Sequence, residues 1–202
     1  MKKLTSFLIV LLFCFSLVSA FTFENGQTSV PVQLQNGWNL LYGVLDVETQ
    51  LASDIANVRV VYAFIPETQE YARVYPNPEV NTLTLIDDDK LANMAVWVYL
   101  ENYDQSYSNL IIPENSYIEW NARELSPGWN FVGISPEILG KETNEITGNC
   151  DLLKIARWDT NDQQWRVATY AEVSNTNIIN TQAGLGTGIL FKVSSECVLS
   201  TQ

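Results

Sequence analysis

Apolar and polar residues alternate with a period of two along most of the chain, and Val, Ile, Tyr, Phe and Trp fill many of the apolar positions. This pattern is typical of β-strands that bury one face. Turn-forming runs such as Pro76-Asn77-Pro78 separate the short strands. We therefore predict a mainly β protein.

The strand pattern occurs twice in the same order. Gly-Trp-Asn followed by apolar residues stands in QNGWNLLYG at 35–43 and in SPGWNFVGI at 126–134. ENGQTSVPVQL precedes the first motif and ENSYIEWNAREL precedes the second. An apolar strand closes each half, AVWVYL at 95–100 and GILFKV at 188–193. Landmarks in one order at nearly one spacing predict an internal duplication, with Gly-Trp-Asn as an architectural motif.

Each half also contains a predicted hairpin and a predicted helical segment. The hairpins are centred on FIPETQEY at 64–71 and WDTNDQQW at 158–165, which have aromatic residues at both ends. Helical spacing follows each Gly-Trp-Asn strand, with Asp46 as a cap in the first half and Ser135 before Pro136 in the second.

These elements predict two tandem pseudo-repeated modules, each a small β-sandwich or barrel with a short helix after the Gly-Trp-Asn strand. Module 1 covers residues 21–105 and module 2 covers residues 106–202, because the stretch from Asn102 to Asn109 is polar and lacks periodicity. The alternative is a single sandwich in which the halves exchange strands.

The first twenty residues have the pattern of a secretory signal peptide. Lys2 and Lys3 precede an apolar run from Leu4 to Leu17, and small residues follow up to Ala20. The run is shorter than the roughly 20 residues of a membrane-spanning helix, so a retained anchor is the weaker interpretation. We expect a secreted or cell-surface protein that meets the membrane only through this peptide.

Acidic residues dominate the charge of the chain. Removing the signal peptide lowers Lys plus Arg from 11 to 9 against 23 acidic residues, so the net charge changes from −12 to −14. Nucleic acid and anionic lipid need clustered basic residues, and we expect neither as a partner.

Two cysteines, Cys150 and Cys197, follow the signal peptide, and we expect them to form a disulfide in an oxidising compartment. The sequence has no histidine, and two thiolates alone do not make a closed zinc shell. We predict no cofactor and no metal site. Weak calcium candidates are Asp87, Asp88, Asp89, Asp159 and Asp162, for which a solvated turn is the alternative.

The aromatic residues have two alternative roles. Trp38, Trp129 and Trp97 are predicted to lie in the core, since apolar residues continue directly after each Gly-Trp-Asn motif; a ligand platform is the alternative. The hairpin aromatics, seven residues apart, can form cross-strand pairs. They are either core support or sugar-stacking side chains, and they are Phe64, Tyr71, Trp158 and Trp165.

The second half, from GWNFVGI through RWDTNDQQW to GLGTGILFKVSSECVL, resembles a repeat module of secreted and cell-surface proteins of archaea and bacteria. Its pattern is Gly-Trp-Asn-Leu-apolar-Gly, a hairpin with aromatic ends and a Gly-Tyr-Trp-Val-Lys-Val strand, often followed by Ser-x-Cys. The first half keeps the opening and the hairpin but has no cysteines after the signal peptide. The resemblance implies a β-rich extracellular module and carries over no catalytic residue.

Function is therefore expected to be non-enzymatic. The absence of histidine excludes the usual Ser-His-Asp and Cys-His nucleophile arrangements. The favoured hypothesis is an exported structural or adhesive protein whose partners are cell-envelope proteins or surface glycans. The alternative is a carbohydrate-binding protein that uses exposed hairpin aromatics, and a polysaccharide hydrolase comes third. Self-assembly is a further hypothesis, in which Phe21 and Phe23 complete the sheet edge of another copy.

Overall fold

The computed structural model of the chain describes residues 22–24, 27–42, 57–76, 94–103, 107–113, 119–177 and 184–202. The predicted signal peptide and most of the helical segment predicted to begin at Asp46 lie outside these ranges. So do Phe21 and the calcium candidates Asp87, Asp88 and Asp89.

Most of the described residues belong to short antiparallel strands, which confirms the mainly β prediction. The strands are β1 (Thr22–Glu24), β2 (Gln27–Gln33), β3 (Gly37–Tyr42), β4 (Val58–Ile65), β5 (Glu70–Tyr75), β6 (Ala95–Leu100), β7 (Tyr107–Pro113), β8 (Glu124–Leu125), β9 (Gly128–Gly133), β10 (Leu152–Asp159), β11 (Gln164–Thr169), β12 (Gly188–Val193) and β13 (Cys197–Val198).

Two four-stranded antiparallel sheets form the centre of the structure and have the same strand order. The first sheet is ordered β3-β6-β4-β5, and the second is ordered β9-β12-β10-β11. In each, the Gly-Trp-Asn strand is at one edge and the second strand of the hairpin is at the other. The smaller sheets are β1-β2-β7 and β8-β13.

The identical strand order agrees with an internal duplication, which stays a prediction, as does the division at residue 105. Each four-stranded sheet takes its strands from one half of the chain only. The three-stranded sheet joins the two halves, since β2 pairs with β7 from Gln27–Pro113 to Gln33–Tyr107. Phe23 lies opposite Thr28 of the same chain, in the pairing of β1 with β2.

Alternation along the strands divides the core into two clusters. The first, here called the inner cluster, lies where the two four-stranded sheets face each other. Its buried members are Leu40, Phe64, Ala95, Trp97, Phe131, Ala156 and Leu190. The larger cluster covers the opposite faces, where Val96 and Val98 represent the first sheet and Ile189 and Phe191 the second.

The sheets approach most closely where their Gly-Trp-Asn strands end. Reciprocal bridges join Leu41 to Thr187 and Met94 to Val132. A Cβ on Gly133 would overlap the Tyr42 ring, and a Cβ on Gly188 would overlap Ala95. Glycine is therefore required at this junction because a side chain would push the sheets apart.

A buried arginine crosses the same junction. Arg123 is 5% exposed and donates to the Gly133 carbonyl at 2.6 Å and to the Tyr42 hydroxyl at 2.9 Å. Burial raises the pKa of Tyr42, while the neighbouring guanidinium opposes that rise. The phenol therefore stays protonated and accepts the arginine hydrogen bond, which ties the segment before β8 to both sheets.

Helical structure follows the second Gly-Trp-Asn strand, as the sequence predicts. A 3₁₀-helix covers Pro136–Ile138 after the predicted cap Ser135, and α1 covers Thr143–Ile146. The Ser135 hydroxyl donates to Glu137 instead of capping the backbone, while Glu142 forms the capping box of α1. A second short helix, α2, covers Tyr170–Val173.

Cys150 and Cys197 form a disulfide, with Cα atoms 5.3 Å apart. The bond joins Cys150, two positions before β10, to Cys197 in β13. The two cysteines are 47 positions apart in the sequence. Such a cross-link restricts the unfolded chain and stabilises by about 2–4 kcal/mol in typical cases.

The asparagine of each Gly-Trp-Asn motif closes the turn before its strand. Asn39 accepts from the Gln35 amide at 2.9 Å and donates to the Gln35 carbonyl at 2.8 Å. Asn130 makes the same two bonds with Ser126, at 2.9 and 2.8 Å. Both asparagines are buried, so these bonds satisfy polar groups that water does not reach.

The tryptophan backbone of each motif binds a glutamine side chain from the opposite sheet. Gln163, in the turn between β10 and β11, accepts from the Trp38 amide at 2.7 Å and donates to its carbonyl at 3.0 Å. Gln69, in the turn between β4 and β5, makes the same pair of bonds with Trp129 at 2.8 and 2.9 Å. We call these reciprocal contacts the glutamine clasps.

The clasps explain why glycine precedes each tryptophan. Gly37 and Gly128 have φ values of +93° and +100°, which side chains rarely adopt. A Cβ on Gly37 would lie 2.5 Å from Oε1 of Gln163, and a Cβ on Gly128 would lie 2.6 Å from Oε1 of Gln69. The amide of the opposite hairpin therefore occupies the space that a side chain would need.

We predict that Gly37→Ala destabilises the fold more than Gly140→Ala. Gly140 also has a positive φ, +77°, but a Cβ there meets nothing within 4 Å. Backbone strain of about 1–2 kcal/mol affects both variants, whereas only Gly37→Ala displaces Gln163, which adds about 1–3 kcal/mol. Urea denaturation measures the two free energies of unfolding. Equal losses would contradict the role of the clasp.

Candidate functional site: an aromatic groove

A groove of about 330 Å³ opens on the inner faces of the two four-stranded sheets. Four of its side chains come from the first sheet and two from the second. They are Trp38, Tyr62, Tyr71, Trp97, Trp158 and Trp165, and we call this site the aromatic groove. Its volume lies at the small end of the range of ligand pockets.

Exposure rises from the floor of the groove to its rim. Trp97 is 8% exposed and forms the floor, whereas Trp165 is 36% and Tyr71 is 56% exposed. Trp38, Tyr62 and Trp158 are half-buried between them. Solvent-exposed aromatic side chains that meet at one concave site are typical of a binding surface.

Three indoles hold one another nearly at right angles. The ring centroids of Trp97 and Trp158 are 4.9 Å apart with an interplanar angle of 90°. Trp165 lies 5.3 Å from each of them, at 76° to Trp97 and 73° to Trp158. Edge-to-face contacts of this kind are favourable, so the rings are fixed by their own packing before any ligand arrives.

A hydrogen bond to the backbone fixes one of these rings, that of Trp158, to the fold. Trp158 donates its indole N–H to the Trp38 carbonyl at 2.8 Å, beside the bonds from Gln163. The indole of Trp158 and the backbone of Trp38 therefore satisfy each other across the sheets. Preorganisation of this kind lowers the entropic cost of binding.

The groove is asymmetric although the sheets share one topology. At corresponding strand positions, Leu190 stands in the second sheet where the first has Trp97, and Ala156 stands where the first has Tyr62. Phe131 corresponds to Leu40 in the Gly-Trp-Asn strands.

The ring of Phe131 packs 4.6 Å from Phe64 and 5.9 Å from Tyr71. Phe131 lies opposite the smaller Leu190 in the pairing of β9 with β12. At the corresponding position of the first sheet, Leu40 is smaller than Phe131, and the rings of Tyr62 and Trp97 line open space. Because large and small side chains are exchanged between the two sheets, the groove lies next to Trp38.

The predicted core tryptophans differ in burial. Trp97 is buried in the inner cluster, while Trp38 and Trp129 are half-buried and pack against its edge. The Lys192 ammonium lies 5.7 Å from the Trp129 ring centroid, in a cation–π contact. Trp38 instead contacts Tyr99, with ring centroids 5.0 Å apart.

The four hairpin aromatics form cross-strand pairs. Phe64 lies opposite Tyr71, and Trp158 lies opposite Trp165. Phe64 is buried at 6% exposure, so it supports the core, whereas the other three line the groove. Sequence alone did not identify Tyr62 or the two clasp glutamines as part of this site, although each glutamine is the fifth residue after the first hairpin aromatic.

The calcium candidates Asp159 and Asp162 bind an arginine. Arg166 donates to Asp159 at 3.2 Å and also pairs with Asp162. Hydrogen bonds from the Asp162 amide, then from Arg166 and the Asn161 amide, hold the pKa of Asp159 below its usual range. Within the described part of the chain, no group of three or more acidic, histidine or cysteine side chains is placed to hold a metal ion.

Comparisons with protein-family models, with curated proteins and with solved structures found no match to this chain. The resemblance to the Gly-Trp-Asn repeat module therefore stays a prediction. None of the helices in the described ranges is long and apolar enough to cross a membrane.

We predict that the floor and the rim of the groove differ in their contribution to stability. Trp97→Ala removes a buried indole and should lower the free energy of unfolding by about 3–5 kcal/mol. Trp165→Ala removes a more exposed ring with edge contacts and should cost about 1 kcal/mol. Chemical denaturation followed by circular dichroism measures both. A loss of similar size in the two variants would contradict this division.

We also predict that acid loosens the turn that presents Gln163. The pKa of Asp159 is depressed in the folded chain, so its stabilising contribution is complete above its unfolded pKa, about 3.9, and is lost as the pH falls through the folded value. Amide protection factors of residues 160–163 should fall below about pH 4. In Asp159→Asn this decrease should be absent. A decrease of the same size in that variant would assign the effect to another group.

Proposed function

We propose that the chain is an exported, non-enzymatic adhesive protein of the cell surface that binds carbohydrate in the aromatic groove. The observation that carries the proposal is the pair of exposed rim residues, Tyr71 and Trp165, above a floor of packed indoles. The predicted signal peptide and the disulfide support export.

Sugar rings fit this chemistry. A pyranose has faces covered by C–H groups, which carry slight positive charge, and the face of an aromatic ring is negative. Stacking on Tyr71 or Trp165 therefore removes apolar area from water while the sugar hydroxyls remain hydrated at the rim. Because the groove opens widely to solvent between two rims, it suits a stretch of polymer as well as a chain end.

The lining of the groove supports binding over catalysis. Its six side chains are tryptophan and tyrosine, and hydrolysis of a glycosidic bond uses a pair of carboxylates across the scissile bond. Asp159 and Asp162, the acidic residues in the turn beside Trp165, are bound to Arg166. Retention of the ligand, as in adhesion, is therefore the activity that these residues favour.

We predict that a glycan array and polysaccharide pull-down detect binding by the protein without its first twenty residues. Tyr71→Ala and Trp165→Ala should each weaken it at least tenfold, about 1.4 kcal/mol, because each removes a stacking surface. Trp158→Ala should weaken it too, since Trp158 orients Trp165.

Val198→Ala is the matched control, because Val198 is an exposed apolar residue on β13 that does not line the groove. It should retain full binding. Each variant must keep the circular dichroism spectrum and melting transition of a folded protein. Binding that survives in folded Tyr71→Ala and Trp165→Ala would overturn the proposal, and turnover of a polysaccharide would overturn its non-enzymatic part.

A further inference from the structure

We infer that the aromatic groove selects acidic saccharides, with Arg73 binding a carboxylate on the sugar that stacks beside it. The inference rests on the proposed function and adds the ligand class. Arg73 lies on β5 directly opposite Tyr62, a residue of the groove, and two positions after Tyr71. Residues opposite each other in a sheet project from the same face, so Arg73 leaves the sheet on the groove side.

Arg73 differs from Arg59, Arg123 and Arg166, because its guanidinium has no hydrogen-bonding or ion-pair partner among the described residues. Arg59 pairs with Glu101 at 2.6 Å, Arg166 pairs with Asp159 and Asp162, and the buried Arg123 binds Tyr42 and Gly133. Arg73 is exposed and forms no ion pair with any residue in the described ranges. In a chain with 23 acidic residues, an unpaired arginine beside an aromatic groove is available to a ligand.

A guanidinium recognises a carboxylate through two parallel hydrogen bonds, and this geometry is specific for planar anions. A uronic acid offers both features that the site requires, a ring face for Tyr71 and a carboxylate for Arg73. Neutral hexoses offer the ring face alone.

The two equivalent edge strands differ in charge at one position that faces the inner side of the sheets. Val167 occupies the fourth position of β11, where β5 has Arg73. Arg73 lies opposite Tyr62, which lines the groove, whereas Val167 lies opposite Ala156, which does not. Aromatic surface, open volume and positive charge therefore lie next to one another at the β5 edge of the groove.

The net charge of −12 does not prevent this contact. Salt screens exposed charges beyond about 8 Å at physiological ionic strength, so the distant carboxylates act weakly on a ligand bound at Arg73. The acids in the second hairpin turn, Asp159 and Asp162, are paired with Arg166. Arg166 therefore offsets part of the negative charge that these two acids would place near the groove.

The test uses pairs of tetrasaccharides that differ only at C6, a hydroxymethyl group in one member and a carboxylate in the other, in the gluco, galacto and manno series. Isothermal titration should show that the carboxylated member of at least one pair binds about tenfold or more tightly, the scale of one charge-assisted bond. This preference should shrink as salt is added.

Arg73→Gln should bring the affinity ratio of that pair close to one, and Arg73→Lys should restore part of it. Arg59→Gln is the matched control, since it removes one exposed positive charge away from the groove and should keep the preference. Melting curves establish that the variants are folded.

Three results separate this inference from the proposed function. If neutral and carboxylated members bind equally, or if Arg73→Gln keeps the preference, the selection of acidic saccharides is wrong while carbohydrate binding stands. If Arg59→Gln abolishes the preference as well, overall charge and not Arg73 sets it, which also overturns the inference. If no saccharide of either kind binds, both fail.

Discussion

The reciprocal glutamine clasps set the relation between the two sheets, and the rest of the structure depends on it. Each hairpin turn binds the backbone of the opposite tryptophan strand, through Gln163 to Trp38 and through Gln69 to Trp129. In each clasp, two hydrogen bonds to the N–H and C=O of one tryptophan fix both the distance and the orientation of the hairpin turn relative to the opposite strand. Because glycine precedes each tryptophan, the amide reaches the strand without a steric barrier. The inner cluster and the groove form inside this frame.

Local patterns were sufficient to predict most of the strands, the hairpins and the helical structure after Ser135. The start of β7 at Tyr107 was not predicted, because it lies in the polar stretch expected to separate the modules. Period-two alternation and turn residues act over a few positions, so a sequence reveals them directly. The pairing of Trp158 with Trp165 follows from the length of one hairpin. The pairing of the cysteines followed from their even number after the predicted signal peptide.

Contacts between distant segments were not accessible from those patterns. The clasp from Gln163 to Trp38 spans 125 positions, and nothing in the turn sequence states which strand it meets. Burial was also ambiguous, because both faces of each sheet carry apolar side chains. A tryptophan at the edge of the inner cluster is consequently half-buried, and a hydrophobic pattern does not separate it from a fully buried one such as Trp97.

The groove arises from a difference between two similar sheets, and this difference determines where the groove lies. With one topology on both sides, equal side chains would fill both sides equally. Here Phe131 packs against Phe64, while Leu40 leaves room that the rings of Tyr62 and Trp97 surround. Cores tolerate such exchanges when large and small residues compensate each other. The shared backbone therefore supplies stability on both sides, and the redistribution of side-chain volume leaves one of them available to a ligand.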